Sequence, residues 1–177
     1  MRRLFVCGVL ATALGALQGS TLQQLSLNDM IVKSTAIVRG KAQFTYAAYR
    51  GSIIYSHYQV QVSESLKGLV TSQIDVAVLG GVANGKRQHF AGAPTLASGQ
   101  DYVFFLWTSK SGLTQVIGLS QGLFAVTTNS SGQSTVVRAA STETMLNASG
   151  QPVTDSDIQM PLSSLRSQIQ SVLAGGQ

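Results

Sequence analysis

The chain has 177 residues and a formal net charge of +5, with 12 basic and seven acidic side chains. Hydrophobic residues make up 44% and charged residues only 11%, which excludes a charge-rich disordered chain. This length and composition predict one domain with a sizeable core. The single cysteine excludes an internal disulfide and a zinc knuckle.

The first 20 residues have the organisation of a secretory signal. Arg2 and Arg3 precede an almost uncharged apolar run at 4–17, and small residues follow. These 14 residues are fewer than the roughly 20 that span a bilayer, and the basic start favours a signal over a buried core helix. We therefore expect residues 1–20 to be removed, together with Cys7. The mature domain would be secreted or periplasmic, without a membrane segment, and would carry a net charge of +3.

A short helix and two long strands are predicted at the start of the mature chain. Ser26 is a suitable N-cap for a helix with one apolar face. Alternating apolar and polar residues indicate a strand over 36–47, which places Phe44 on its apolar face. A second strand is expected over 53–65, and the turn between the two at 47–52.

The middle of the chain is predicted to contain one more alternating strand and one strand buried on both sides. The alternating strand covers 74–78. A long Gly-rich and Ala-rich connection over 80–100 follows, with a short strand possible at 86–90; connections of this length are often functional or mobile. Residues 102–107 are apolar on both faces, which is typical of a central strand.

The last third is predicted to contain three short strands and a helix. The strands cover 113–118, 123–128 and 135–138, and residues 139–160 form an irregular polar connection. The helix begins at Pro161 and ends near Leu173, with an apolar stripe that indicates core packing.

These elements predict a mainly β protein with a short N-terminal helix and a C-terminal amphipathic helix. The close spacing of the early strands favours a small antiparallel Greek-key barrel of the OB type. Residues 21–177 would form this single domain.

Four stretches of the chain resemble the OB-fold domain of tissue inhibitors of metalloproteinases and netrin-like modules. They are AIVRGKA at 36–42, YQVQV leading to ExxKG over 58–68, LxxGxxYVF over 96–104, and the C-terminal helix. The chain looks closer still to exported bacterial proteins of unassigned function. The resemblance implies an OB-like barrel. The animal inhibitors chelate the zinc of their target through an N-terminal cysteine, and the expected mature chain has no cysteine, so that mechanism is not implied here.

The sequence is poorly equipped for a metal site or for nucleic-acid binding. His57 and His89 are its two histidines, and no acidic residue lies at a ligand spacing from them. The longest basic run of the mature part is Lys86-Arg87, which is not a clustered footprint for nucleic acid. Asp155 and Asp157 are expected on a solvated loop. No cofactor and no metal are expected.

The sequence contains the Gly-x-Ser-x-Gly pattern of a nucleophile elbow, but not the predicted secondary structure that the elbow requires. Residues 118–122 read Gly-Leu-Ser-Gln-Gly, but strands are predicted on both sides, whereas the nucleophile elbow needs a strand followed by a helix. Turn glycines between strands are the favoured interpretation. A hydrolase that uses Ser120 is a further alternative.

Tyrosines cluster around the first hairpin, which indicates either cross-strand packing or a binding surface. Our leading hypothesis is an exported, non-enzymatic domain that binds another exported protein or a polymer through its loop-rich end. The alternative is a protease inhibitor without the zinc-chelating cysteine. The candidate binding residues are Tyr49, Tyr55, His57, Lys86, Arg87 and His89.

Overall fold

The computed structural model describes residues 21–69 and 72–176, so the expected signal lies outside the described residues. Strands account for 50% of the described residues and helices for 14%, which confirms a mainly β protein with antiparallel sheets. Helix α1 covers Leu27–Lys33 and helix α2 covers Leu162–Gly175. The strands are β1 (Thr21–Gln23), β2 (Ala36–Arg50), β3 (Ile53–Lys67), β4 (Gln73–Leu79), β5 (Gly81–Ala83), β6 (Lys86–Gln88), β7 (Asp101–Thr108), β8 (Thr114–Val116), β9 (Leu123–Thr128), β10 (Ser134–Arg138), β11 (Thr144–Leu146), β12 (Pro152–Val153) and β13 (Ile158–Pro161).

The main sheet has the strand order β13-β10-β9-β7-β2-β3-β4, and β8 pairs with β7 off this path. All of its pairings are antiparallel. Strand β4 also lies against β8, but no hydrogen-bonded ladder joins these two strands in the described part of the chain. A small sheet β1-β11-β12, with β1 and β11 parallel, and the β5-β6 hairpin complete the β structure.

Strand β7 separates the two halves of the hydrophobic core. Val103 and Phe105 belong to a cluster that α1 and α2 cover, while Phe104 and Leu106 belong to a second cluster enclosed by β2, β3 and β4. Burial on both faces confirms the prediction of a central strand. Trp107, at the end of the apolar run, is instead exposed because the strand leaves the covered region there.

The predicted cap of α1 is confirmed. The hydroxyl of Ser26 accepts a hydrogen bond from the backbone N–H of Asp29 (3.0 Å), and the Asp29 carboxylate accepts one from the backbone N–H of Ser26 (3.3 Å). This reciprocal pair is a capping box. The hydrogen bond from Ser26, followed by that from Lys33, lowers the pKa of Asp29.

The first hairpin is longer than the sequence predicts. Residues 47–50 were expected in a turn, but they continue the ladder, and only Gly51 and Ser52 turn the chain. The two small residues Ala47 and Ala48 carry no polar–apolar alternation, so the pattern did not reveal that the register continues past them. The hairpin therefore extends three residues further than expected on its first strand.

The prediction of an irregular segment over 139–160 was wrong in part. This segment contains β11, β12 and the start of β13. These strands have two to four residues, and their pairing depends on β1 and β10, which are distant in the sequence. Local periodicity cannot reveal strands that short. Helix α2 begins at Leu162 rather than at Pro161, because Pro161 is its N-cap and still pairs within β13.

Candidate functional site

Three segments meet at the far end of the β2-β3 hairpin and form one surface. The backbone N–H of Ile54 donates to Oε1 of Gln88 (2.6 Å), and Nε2 of Gln88 donates to the carbonyl of Ser52 (2.8 Å). On another side, Nη2 of Arg50 donates to the carbonyl of Ser111 (3.3 Å). These contacts bring together residues 44–58, the β5-β6 hairpin at 81–88 and the turn at 109–112. We call this surface the hairpin end.

Two glycines turn the chain so that β5 and β6 lie against the hairpin. Gly80 and Gly81 have φ angles of 96° and 132°, which residues other than glycine rarely adopt. The backbone N–H of Gly80 donates to the carbonyl of Ile54 (2.8 Å), and its carbonyl accepts from the hydroxyl of Ser56 (2.8 Å). A Cβ at Gly81 would collide with that same hydroxyl. The predicted short strand at 86–90 is present as Lys86–Gln88.

Aromatic rings cross the hairpin end in pairs. Tyr46 stacks on His57 with ring centroids 4.4 Å apart and planes 8° apart. Phe44 meets Tyr58 edge-on at 5.6 Å. A register shift between Phe44 and Tyr46 gives these two side chains neighbouring partners, so they lie on opposite faces of the sheet. The rings therefore do pack across the strands, but much of their surface remains exposed to solvent.

Three of these rings remain exposed although they are large and apolar. The exposed fraction is 45% for Phe44, 51% for Tyr46 and 37% for Tyr49. The apolar face predicted for β2 is buried at Val38 and Ala42, but it is not buried at Phe44. The β5-β6 hairpin covers part of this end, where Ile54 is fully buried, but it leaves these three rings exposed. By register, Phe44 and Tyr49 lie on one face of the hairpin and Tyr46 on the other, and exposed aromatic side chains are typical of binding surfaces.

His57 is held in place by a carboxylate as well as by its ring partner. Its Nδ1 lies 2.7 Å from Oδ2 of Asp75 on β4. Gln59, two residues along β3, is the register partner of Asp75, so all three side chains lie on one face. This contact joins β2, β3 and β4 through side chains and orients the imidazole without a metal.

The hairpin end contains five of the six candidate residues. Tyr49, Tyr55 and His57 lie on the long hairpin, while Lys86 and Arg87 lie on β6. Tyr55 and His57 are half-buried, whereas both basic side chains are exposed. The structure therefore brings together residues that are more than 30 positions apart in the sequence.

His89 directly follows β6 and lines a different cleft, of about 430 Å³, that Ser120, Arg138 and Glu143 also line. In the described part of the chain, no hydrogen bond joins His89 to Ser120 or to Glu143. The backbone N–H of Ser120 donates to the carbonyl of Gly92 (3.1 Å). His89 thus borders the hairpin end in the chain but faces this other cleft.

The Gly-Leu-Ser-Gln-Gly segment forms the turn between β8 and β9, as the sequence predicts. Gly118 and Leu119 both have positive φ, at 63° and 60°. Buried Gln121 ties this turn to the start of the described chain, because its Oε1 accepts from the N–H of Leu25 (2.8 Å) and its Nε2 donates to the carbonyl of Gln23 (3.0 Å). The motif thus serves the packing of β1.

A buried ion pair fastens the segment after β10, and the sequence did not reveal it. Nη1 and Nη2 of Arg138 donate to the two carboxylate oxygens of Asp155 at 2.8 and 2.9 Å. Asp155 was expected on a solvated loop, but its side chain is only 3% exposed. Burial acts to raise the pKa of Asp155, and hydrogen bonds from Arg138 and from the Ser141 N–H outweigh it, so that the net pKa is lowered.

A further cleft, of about 520 Å³, lies near the start of β2. Two cations line it, but both are neutralised by neighbouring acids. Arg39 pairs with Asp101 (2.7 Å), and Arg166 forms a two-pronged pair with Glu64 (2.7 and 2.6 Å). These ion pairs fasten α2 and β7 to strands β2 and β3. We therefore assign Arg39 and Arg166 a structural role.

Within residues 21–69 and 72–176, no group of three or more His, Cys, Asp or Glu side chains is placed to hold a metal ion. None of the helices in that part of the chain combines the length and the apolar character needed to cross a membrane. The chain matches no protein family model, and no curated protein or solved structure is detectably similar to it.

Proposed function

We propose that the protein is an exported, non-enzymatic binding domain and that the hairpin end is its binding surface. The observation that carries the proposal is the exposure of Phe44, Tyr46 and Tyr49 at one end of the molecule. Large aromatic side chains contribute much of the contact area of binding surfaces at low entropic cost. Their strand pairing holds them in place before binding, which reduces the cost of ordering them.

The fold that we propose for this domain is an OB-like barrel. Strands β2, β3 and β4 form a meander, β7 returns to pair with β2, and β4 lies against β8. That order is compatible with a five-stranded, partly open Greek-key barrel. In such a barrel the long β2-β3 hairpin and the β5-β6 hairpin would extend from one end, and together they would form the hairpin end.

Site-directed photocrosslinking tests the location of the surface. A photoreactive phenylalanine analogue at Tyr49 should give discrete crosslinked products with the exported fraction of the producing organism. The matched control carries the same analogue at Val32, which is also exposed and apolar but lies on α1. Equal products from both positions, or none from Tyr49 at micromolar protein, would refute the proposal.

A protease inhibitor without the zinc-chelating cysteine is the second candidate. The start of the described chain supports it, because Gln121 and the β11 pairing hold β1 rigidly, and inhibitors gain affinity from segments fixed before binding. Incubation with a panel of secreted metalloproteinases tests this role. Unchanged hydrolysis rates at micromolar protein would count against it.

A hydrolase that uses Ser120 is the weakest candidate, since its cleft also contains His89 and Glu143 but lacks the hydrogen bonds of a catalytic triad. The test is a broad ester and peptide panel with the wild type and with Ser120→Ala. Activity that disappears with the substitution would establish this candidate in place of the first two.

A further inference from the structure

Exposed cations converge at the hairpin end although they are scattered in the sequence. Arg50 borders the β2-β3 turn, Lys86 and Arg87 lie on β6, and Lys110 lies in the turn at 109–112. The hydrogen bond from Arg50 to the carbonyl of Ser111 joins the first and last of these segments. All four side chains are exposed. Among the described residues none of them forms an ion pair.

The three segments that form this surface carry no acidic side chain of their own. None of the seven acids of the chain falls within 44–58, 81–88 or 109–112. Four acids form ion pairs with basic side chains outside this surface, and the fifth pair joins Asp75 to His57, which belongs to it. Asp75 on β4 lies two residues before Ala77, the register partner of His57, so it borders this surface and is already paired with the imidazole there.

The geometry points to an anionic polysaccharide, one that carries carboxylate or sulfate groups, as the ligand of the hairpin end. This inference rests on the proposed function and names the chemistry of the partner. Arg and Lys side chains form charge-assisted hydrogen bonds with such groups. Tyr49 directly precedes Arg50, and its exposed ring provides apolar surface for a sugar ring.

The number and placement of the cations favour a polysaccharide over nucleic acid. Duplex DNA carries about one charge per 1.7 Å of axis, and tight sites typically contact six to ten phosphates. Four cations on three separate segments match a polymer with more widely spaced charges.

A lipid surface is disfavoured by the turns themselves. Gly51 and Ser52 form the tip of the long hairpin, and Asn84 and Gly85 form the tip of the β5-β6 hairpin. Both tips lack the apolar side chains that anchor a protein at the membrane interface. The apolar residues of this surface lie on its sides, where an extended polymer can contact them.

Binding to this surface should depend steeply on salt. If each neutralised charge contributes about 0.7 to the slope, as for single-stranded nucleic acids, four cations give a slope near −3 in log K against log salt. Raising the salt from 50 to 200 mM would then weaken binding roughly 50-fold.

The test measures binding of the purified exported protein to polygalacturonate, which carries carboxylates, and to dextran sulfate. Neutral dextran, a 20-nucleotide single-stranded DNA and vesicles containing anionic lipid are measured alongside. The site variant is Arg87→Glu with Lys110→Glu, because neither side chain makes a hydrogen bond in the described structure. The matched control is Lys33→Glu with Lys41→Glu, which changes the net charge equally but lies away from the hairpin end.

The expected result is binding to one or both acidic polysaccharides, none to neutral dextran, and a loss of at least tenfold in the site variant only. No binding near 100 µM, an equal loss in both variants, or tighter binding to DNA or to vesicles would overturn the inference. If the charge variants have no effect but Tyr49 still gives crosslinks, the binding surface stands and its partner is not an anionic polysaccharide.

Discussion

The buried pair of Arg138 and Asp155 should contribute more to stability than any exposed ion pair of the protein. The side chains are only 7% and 3% exposed, and two hydrogen bonds of 2.8 and 2.9 Å join them. The variant Asp155→Asn removes the negative charge and leaves a guanidinium buried without its counterion. Breaking a buried pair in this way costs about 3–5 kcal/mol.

This loss is large compared with the total stability of a domain, which is about 5–15 kcal/mol. At about 2–4 °C per kcal/mol for a domain of this size, the melting temperature should fall by about 6–20 °C. Urea unfolding with linear extrapolation gives the free energy of unfolding directly. The control is Lys33→Ala, which removes an exposed pair with Asp29 and should cost less than about 1 kcal/mol.

Two further results follow from the same contact. The double variant Arg138→Met with Asp155→Leu should be at least as stable as Asp155→Asn, because no unpaired charge remains buried. The folded-state pKa of Asp155 is lowered, so its contribution is present above its ordinary value of 3.8 and is lost as the pH falls through the folded value. Asp155→Asn should lack this acid-dependent component. A loss for Asp155→Asn no larger than that for Lys33→Ala would refute the reasoning.

Three single substitutions test other contacts by urea or thermal unfolding. Ser26→Ala removes the cap of α1 and should cost about 1 kcal/mol; no change would contradict the capping box. Gly40→Ala should cost about 3 kcal/mol or more, because its Cβ would overlap the carbonyl of Gln61; wild-type stability would show that the strands separate easily there. Gly81→Ala should destabilise by a similar amount through its positive φ and the contact with Ser56, and an intact β5-β6 hairpin at full stability would contradict this.

The elements that the sequence predicts well are those whose signal is local. Strand β9 has the predicted bounds, and β7 is central because its apolar run allows burial on both faces. The capping box of α1 depends on two residues three positions apart. Such features require no knowledge of distant partners.

The elements that the sequence did not predict depend on long-range pairing. Strands β11 and β12 are too short for a recognisable period, and β11 needs β1, which lies more than 100 residues earlier. Arg138 and Asp155 are 17 residues apart across an irregular segment, so neither identifies the other. The burial of Asp155 therefore could not be predicted from its neighbours.

The sequence indicates the candidate site only in part. The informative signal is the distribution of acidic residues rather than that of basic residues. A search for basic runs finds only Lys86-Arg87, which alone does not indicate a charged surface. The segments without acidic residues indicate a positively charged surface better. No Asp or Glu occurs within 76–100 or 102–142. Once these segments meet the long hairpin, Arg50, Lys86, Arg87 and Lys110 remain without counterions. A net positive charge that is modest for the whole chain thus becomes concentrated at one end of the fold.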